Sequence, residues 1–207
     1  MKLILALSGS PVDGSSTDYL IRVLAESIAQ RLATEGLEAK HRFIRLADLQ
    51  FIPCQACGRA PEPGLFCLFD DDLTDIYTDL ARCDCLVVGS PVYFDSVSAQ
   101  TKAFIDRCNC FRPPDWDNQL ENHDFVKLLT RKRPGAMVLV GGERGWFEGA
   151  RRVIAGLFRW IEVTNEGALV YRSPDFRAKG TAASDEDVKR ELQQLAVRLA
   201  DKVREQS

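Results

Sequence analysis

The sequence predicts an α/β fold: a five-stranded parallel sheet with helices on both faces, a three-layer sandwich. Strand-length apolar runs alternate with amphipathic stretches along the 207 residues, the pattern that builds a parallel sheet. One run, Cys85-Leu-Val-Val-Gly89, is apolar throughout, as a central strand covered on both faces requires. Three of the runs lead into Gly- and Ser-rich loops, the kind of loop that holds ligands at the carboxyl ends of parallel strands.

The elements follow in order. Strand one covers about Lys2 to Leu7. A helix is predicted from about Thr17 to Glu35, with Leu20, Ile21, Leu24, Ile28 and Leu32 at three-and-four spacing. Gly36 is its natural C-terminal stop. Strand two is Ala39 to Arg45 and strand three is Cys85 to Gly89. A helix runs from Ala99 to Cys110, strand four from Gly135 to Val140, and a further helix from Phe147 to Ile161. Strand five is Gly167 to Tyr171. The last helix opens near Ser184, where Ser184-x-x-Asp187 resembles a capping box, and it reaches about Val203. The polar stretch Phe111 to Asp124, with two prolines and Trp116, is expected to be an excursion near the site. Arg177 to Thr181 is expected to be a surface loop. No repeat is present, and the whole of 1–207 is expected to be one domain.

Composition narrows the function. Apolar residues make up 45% of the chain, enough for a proper core, and the formal net charge of −3 disfavours a general nucleic-acid surface. No run of eighteen apolar residues exists and the N-terminus lacks a signal-peptide pattern, so neither a membrane span nor export is expected. A cytoplasmic location is the default. Seven cysteines suit thiols in a reducing compartment better than a disulfide framework. Cys83, Cys85, Cys108 and Cys110 fall in apolar or helical patterns and are expected to be packing residues.

Strand one ends in Ser8-Gly-Ser-Pro-Val-Asp-Gly-Ser-Ser-Thr17. A helix N-terminus offers unpaired N–H groups and a partial positive charge, which suits a phosphate. Ser10, Ser15, Ser16 and Thr17 can add hydroxyl donors, while Gly9 and Gly14 permit a close turn. The loop has no Lys or Arg and no Gly-Lys-Ser/Thr ending, so it is not a nucleoside-triphosphate loop, and it lacks the third glycine of a dinucleotide fingerprint. A terminal monophosphate held by neutral donors fits it; so does a well-capped helix after a polar turn.

Strand three ends in Gly89-Ser-Pro91-Val92-Tyr93-Phe94 and strand four in Gly141-Gly142-Glu-Arg144-Gly145. Neither is a carboxylate cluster, which disfavours a phosphoacceptor receiver domain. Pro91, Val92, Tyr93 and Phe94 make a wall for a flat apolar ring, or else the start of the next packed helix. Gly141 and Gly142 would let N–H groups approach the polar edge of such a ring. Arg144 could add to that edge. Trp146 and Trp160 suit core or subunit-contact positions. His41 and His123 lie far apart with no nucleophile context, so a hydrolase is disfavoured.

With Gln100-x-Lys102-x-Phe104-Ile-Asp-Arg107, these motifs resemble the flavodoxin-like NAD(P)H-dependent FMN reductases and their iron–sulfur flavoprotein relatives, over most of the chain to about Tyr171. The resemblance implies a sheet in order 2-1-3-4-5, FMN as cofactor, NAD(P)H as co-substrate, and a homodimer or homotetramer. It sets the phosphate at Ser8, Ser10, Ser15, Ser16 and Thr17. The ring falls at Pro91, Val92, Tyr93 and Phe94, with Gly141 and Gly142 at its far edge. The expected activity is hydride transfer from NAD(P)H and reduction of a small acceptor such as a flavin, quinone or metal ion. An electron carrier acting with a protein partner, and a nucleotide-binding module without turnover, are the alternatives.

Cys54-Gln-Ala-Cys57 and Cys67 precede Asp70-Asp-Asp72. In the iron–sulfur relatives this region resembles C-x2-C-x2-C-x(4–7)-C and holds a four-iron cluster. Here Ala60 stands at the third position, and four iron atoms want four thiolates. No cluster or other metal is therefore expected; the alternative is a cluster on Cys54, Cys57 and Cys67 with water or a residue from elsewhere as fourth ligand. The remaining readings of the three thiols are loop packing and a redox-active Cys54–Cys57 pair.

Overall fold

The computed structural model describes residues 1–57, 66–111, 129–175 and 178–206. Five strands lie parallel: β1 (Lys2–Ser8), β2 (Ala39–Arg45), β3 (Cys85–Tyr93), β5 (Arg133–Gly142) and β6 (Val163–Ser173). Their order is β2-β1-β3-β5-β6, the predicted 2-1-3-4-5 arrangement. A two-residue strand β4 (Ser96–Val97) turns back antiparallel on the end of β3.

Alternation along the strands divides the core in two. Ile4, Ala6, Cys85, Val87, Ala136 and Val138 face α1 (Ser16–Thr34) and α5 (Glu186–Glu205). Leu5, Leu7, Leu86, Val88, Met137 and Leu139 face the other side. There they pack with α2 (Leu73–Arg82), α3 (Ala99–Arg107) and α4 (Glu148–Trp160). Side chains of a strand point to opposite faces in turn, so one central run of apolar residues feeds both layers. In β3, Gly89 has no room for a side chain because Ile21 of α1 packs onto its Cα.

The chain reverses its winding at β1. From β1 it crosses one face to reach β2; from β2 it returns past β1 to β3. The carboxyl ends of β1 and β3 lie side by side, Ser8 opposite Gly89. This is the switch point, where an open parallel sheet leaves a crevice.

Several boundaries differ from expectation for identifiable reasons. Helix α1 begins one residue early, with Ser15 accepting a hydrogen bond from the Asp18 N–H as its cap. At the other end Gly36 has φ +81°, Leu37 N–H reaches Leu32 O and Gly36 N–H reaches Ala33 O, a Schellman closure. Helix α5 is capped by Asp185, which accepts from the N–H groups of Asp187 and Val188; the expected Ser184–Asp187 box does not form, since Ser184 belongs to the preceding 3-10 turn. Strands β3, β5 and β6 extend beyond the apolar runs that announce them. Helix α2 has no counterpart among the predicted elements. The expected excursion Phe111 to Asp124 lies outside the described residues beyond Phe111, as do Ala60 and His123.

Candidate functional site

The loop after β1 is tied down from below. The Ser8 hydroxyl donates to Asp18 Oδ1 at 2.5 Å and accepts from the Ser10 N–H. Asp18 is 3% exposed, and its second oxygen lies 3.3 Å from Arg45 Nε. Arg45, at the end of β2, also pairs with Asp13 at 3.1 Å and Asp48 at 3.0 Å. So a cation does stand under this loop, supplied by the neighbouring strand and already matched by carboxylates. Gly9 is glycine because Thr101 and Ser98, at the start of α3, occupy the place of its Cβ; Ser98 Oγ donates to Gly9 O at 2.6 Å. Gly14 has φ +68° and open space where its Cβ would be.

The loop hydroxyls have different commitments. Ser10 Oγ donates to Val12 O at 3.0 Å and accepts from Val12 N–H at 3.1 Å. Ser16 Oγ accepts from Ala182 N–H at 3.2 Å and lies 3.3 Å from Thr181 Oγ1. Thr181 also receives the Tyr171 hydroxyl at 3.0 Å and sits 3.1 Å from Ser173 Oγ. The segment expected to be a surface loop is thus a hub that fastens the start of α1 to β6. Thr17 is 1% exposed, and its hydroxyl has no hydrogen-bond partner among the described residues. The first N–H groups of α1 have no carbonyl to reach inside the helix. Thr17, the proton of Ser15 and these N–H groups therefore form the open face of the loop. That face fits a terminal phosphate through neutral donors and a helix dipole.

Across the switch point, Pro91 is buried, Val92 half-buried and Tyr93 half exposed. The aromatic step is not the start of a helix. Val92 pairs with Val97 and Tyr93 with Ser96, leaving Phe94 and Asp95 as a two-residue turn with φ +51° and +59°. Positive φ at both centres is the hairpin geometry that matches strand twist. It is costly for a bulky residue, yet Phe94 is fully exposed. Asp95 Oδ1 accepts from the Gly149 N–H at 3.1 Å, fastening the turn to the first turn of α4.

After β5, the segment from Gly141 to Phe147 forms a braced turn. Gly145 N–H reaches Gly142 O at 2.9 Å. Arg172 Nη1 donates to Glu143 O at 2.9 Å and Gly145 O at 2.8 Å, with its guanidinium over the Phe147 ring. A Cβ on Gly141 would press on that ring, whereas Gly142 faces open space. Trp146 is 78% exposed, so of the two positions expected for it, core or subunit contact, the core is excluded. Trp160 is partly buried and donates to Cys108 O at 3.1 Å. Val92, Phe94, Asp95, Arg144, Gly145 and Trp146 line a cleft of about 360 Å³.

The cysteine loop packs, through Phe51, Phe66 and Cys67, against the core layer beneath α2, α3 and α4. Cys54, Cys57 and Cys67 are half-buried. Cys54 Sγ accepts from the Ala56 N–H. The Arg107 guanidinium, 1% exposed, donates to Ile52 O at 2.7 Å, to both oxygens of Asp71 and to Cys67 Sγ at 3.4 Å. Sequence alone did not mark Arg107 as the anchor of this loop; its partners are 36 to 55 residues away. Among the described residues no three His, Cys, Asp or Glu side chains converge on a metal position. With three thiols, one of them hydrogen-bonded to a buried cation, the donor set does not fit a four-iron cluster. Cys83, Cys85 and Cys108 are buried and packed as expected. Cys110 is half-buried, and burial pushes its thiol up to about 12.

Comparison with known proteins agrees with this geometry. The family model for NADPH-dependent FMN reductases matches residues 2–170. An iron–sulfur flavoprotein of Methanocaldococcus jannaschii is 33% identical over 141 residues, covering 68% of this chain and 63% of its own length. An apo NADH:FMN oxidoreductase structure superposes with a TM-score of 0.64 at 18% identity, over 97% of this chain and 89% of that one. An archaeal flavodoxin superposes at 0.52 and 15% identity, over 99% of each. The fold is thus flavodoxin-like. No helix among the described residues is long and apolar enough to cross a membrane.

Proposed function

The chain belongs to the NADPH-dependent FMN reductase family, and from that premise we propose that it is an FMN-dependent oxidoreductase that takes hydride from NAD(P)H and reduces a small acceptor. The observation that carries the reading is the meeting of two different surfaces at one switch point. A neutral phosphate cradle follows β1, and an exposed aromatic turn follows β3, with Ser8 opposite Gly89 between them.

Ser15 and Thr17 would hold the terminal phosphate with the first N–H groups of α1. Ser8, Ser10 and Ser16 serve by fixing the loop, through Asp18, the Val12 backbone and the Thr181 hub. Pro91, Val92, Tyr93 and Phe94 would line one side of the ring, and the Gly141–Gly142 backbone its polar edge. When bound, FMN supplies the two-electron exchange between nicotinamide and acceptor; the protein orients it and tunes its charge. No side chain at the cleft is assigned a proton-transfer role. With no fit for a cluster beside Cys54, Cys57 and Cys67, the acceptor must reach the cofactor directly, which favours a small diffusible molecule over a protein partner.

The test is an anaerobic titration of the purified protein with NADH and with NADPH. FMN, and not FAD, should be released on denaturation, and the flavin bands should bleach with at least one nicotinamide. FMN without bleaching would replace the reading by an electron carrier. Colourless protein that takes up no FMN would end it.

A further inference from the structure

We propose that Arg144 and Trp146 form the acceptor wall of the cleft and select a planar aromatic molecule bearing a negative charge. The inference rests on the FMN-dependent reading above and adds the class of acceptor. Its core is that two aromatic side chains are displayed to solvent on separately braced backbones at one cleft. Phe94 is held out at φ +51° by the hairpin, whose next residue is fastened to the Gly149 N–H. Gly149 must be glycine there, because the Asp95 carbonyl occupies the place of its Cβ. Trp146 is held out by the turn that Arg172 clamps through two carbonyls. Exposing both rings loses apolar burial, and the Phe94 backbone adds strain. Neither exposure serves packing in the chain itself.

The chemistry of the wall defines its ligand. Trp and Phe rings offer stacking faces to a flat π-system. Arg144 is exposed and makes no hydrogen bond or ion pair with the described residues, so its planar donor fork is available to an anionic oxygen. Asp95 also lines the cleft, but one of its oxygens is held by the α4 cap. For a quinone the overall step is NAD(P)H plus a proton plus quinone giving NAD(P)+ and hydroquinone. Two electrons and two protons pass to the quinone, and one C–H bond of the nicotinamide breaks.

The experiment uses the FMN-loaded protein, photoreduced without nicotinamide and then mixed with acceptors in matched pairs. The 2-hydroxy-1,4-naphthoquinone anion is compared with neutral 1,4-naphthoquinone, and free FMN with riboflavin. Arg144→Gln should raise the ratio of anionic to neutral half-saturation about ten- to a hundredfold, as loss of one charge-assisted contact implies. A response in the quinone pair identifies a quinone site, and one in the flavin pair a free-flavin site; either supports the wall. Separately, the hydroxynaphthoquinone anion should quench the tryptophan fluorescence of the FMN-loaded protein, and Trp146→Phe should remove most of that quenching. Unchanged ratios in both pairs, or undiminished quenching in Trp146→Phe, overturns the inference while leaving the FMN-dependent reading intact. That reading fails separately, if no FMN binds at all.

Discussion

Ser16 and Thr17 are neighbours with opposite roles. Ser16 spends its hydroxyl on Ala182 and Thr181, whereas Thr17 keeps its own open at the loop face. Thr17→Ala should therefore weaken FMN binding by about ten- to a hundredfold, the roughly 1.5–3 kcal/mol of a hydrogen bond to a charged group, with little change in the melting temperature of the apoprotein. Ser16→Ala should do the reverse and cost about 1 kcal/mol of stability. Fluorescence titration with FMN and thermal melts of both variants check the pair, and equal effects on affinity would refute the assignment. The sequence marks which residues carry hydroxyls but not which are already engaged, because Thr181 lies 165 residues from Ser16. The buried thiols make a second residue-scale prediction. Burial pushes Cys83 up to about 11 and Cys110 up to about 12 from an ordinary 9.0. The unfolded chain releases these protons near pH 9, while the folded chain keeps them until pH 11 to 12. Across that window the unfolded state binds fewer protons, so stability falls as pH rises, by up to about 1.4 kcal/mol per pH unit for each thiol. Below pH 9 the term is constant. Melting temperature measured from pH 8 to 10.5 should drop above 9, and less so in Cys83→Ala after allowance for its lower starting point.

At the scale of elements, the hairpin joining β3 to β4 couples the site to α4. Gly149→Ala gives the helix a better former, worth close to 1 kcal/mol in an exposed interior. Here its methyl would collide with the Asp95 carbonyl, and the tip would have to move. The expected outcome is a net loss of about 1–3 kcal/mol, as for other forced overpacking. Chemical denaturation decides between these signs; a gain in stability would mean the turn is not fastened to the helix. This contact also shows how legible the elements were. The five parallel strands follow from apolar runs, and their order from the resemblance to the FMN reductases. The aromatic turn does not, because Tyr93-Phe94 lacks the Asn-Gly or Asp-Gly that usually announces such a geometry. Strand β3 is expected to stop at Gly89, where the apolar run ends, yet Pro91 stays in register opposite Val140. Helix α2 carries its own signal, since Leu73, Ile76, Tyr77 and Leu80 keep helical spacing and are all buried, but it follows directly on the Asp70-Asp-Asp72 end of the cysteine motif, which reads as loop.

For the whole molecule, the exposed aromatics at the ends of β3 and β5 bear on assembly. Tyr93, Phe94 and Trp146 leave a set of apolar faces in water at one end of the sheet, and aromatic side chains are enriched where subunits meet. We expect a homodimer or homotetramer whose contact meets the end of β3 and leaves the cleft open to the acceptor, and light scattering at micromolar concentration should give a multiple of 23.2 kDa; a monomeric mass counts against it. The cysteine loop decides how electrons leave. The relative with 33% identity is an iron–sulfur flavoprotein, but here Ala60 stands where the third thiolate belongs. Cys67 is held by Arg107, which is itself paired with both oxygens of Asp71. To recruit Cys67 for iron, the loop would have to give up the 3.4 Å hydrogen bond from Arg107, while the Arg107–Asp71 pair stays in place. Cys83, Cys85 and Cys108 are fully buried in the core, and Cys110, half-buried and pushed up by burial and then by Cys67, is the further thiol near the loop among the described residues. Protein purified without oxygen should therefore carry FMN and no four-iron cluster. An iron and sulfide assay settles the matter. About four irons and four sulfides per chain, with absorbance extending beyond the flavin bands, would mean that a fourth ligand is supplied and that Arg107 yields Cys67. An electron carrier serving a protein partner would then displace the small-acceptor reductase.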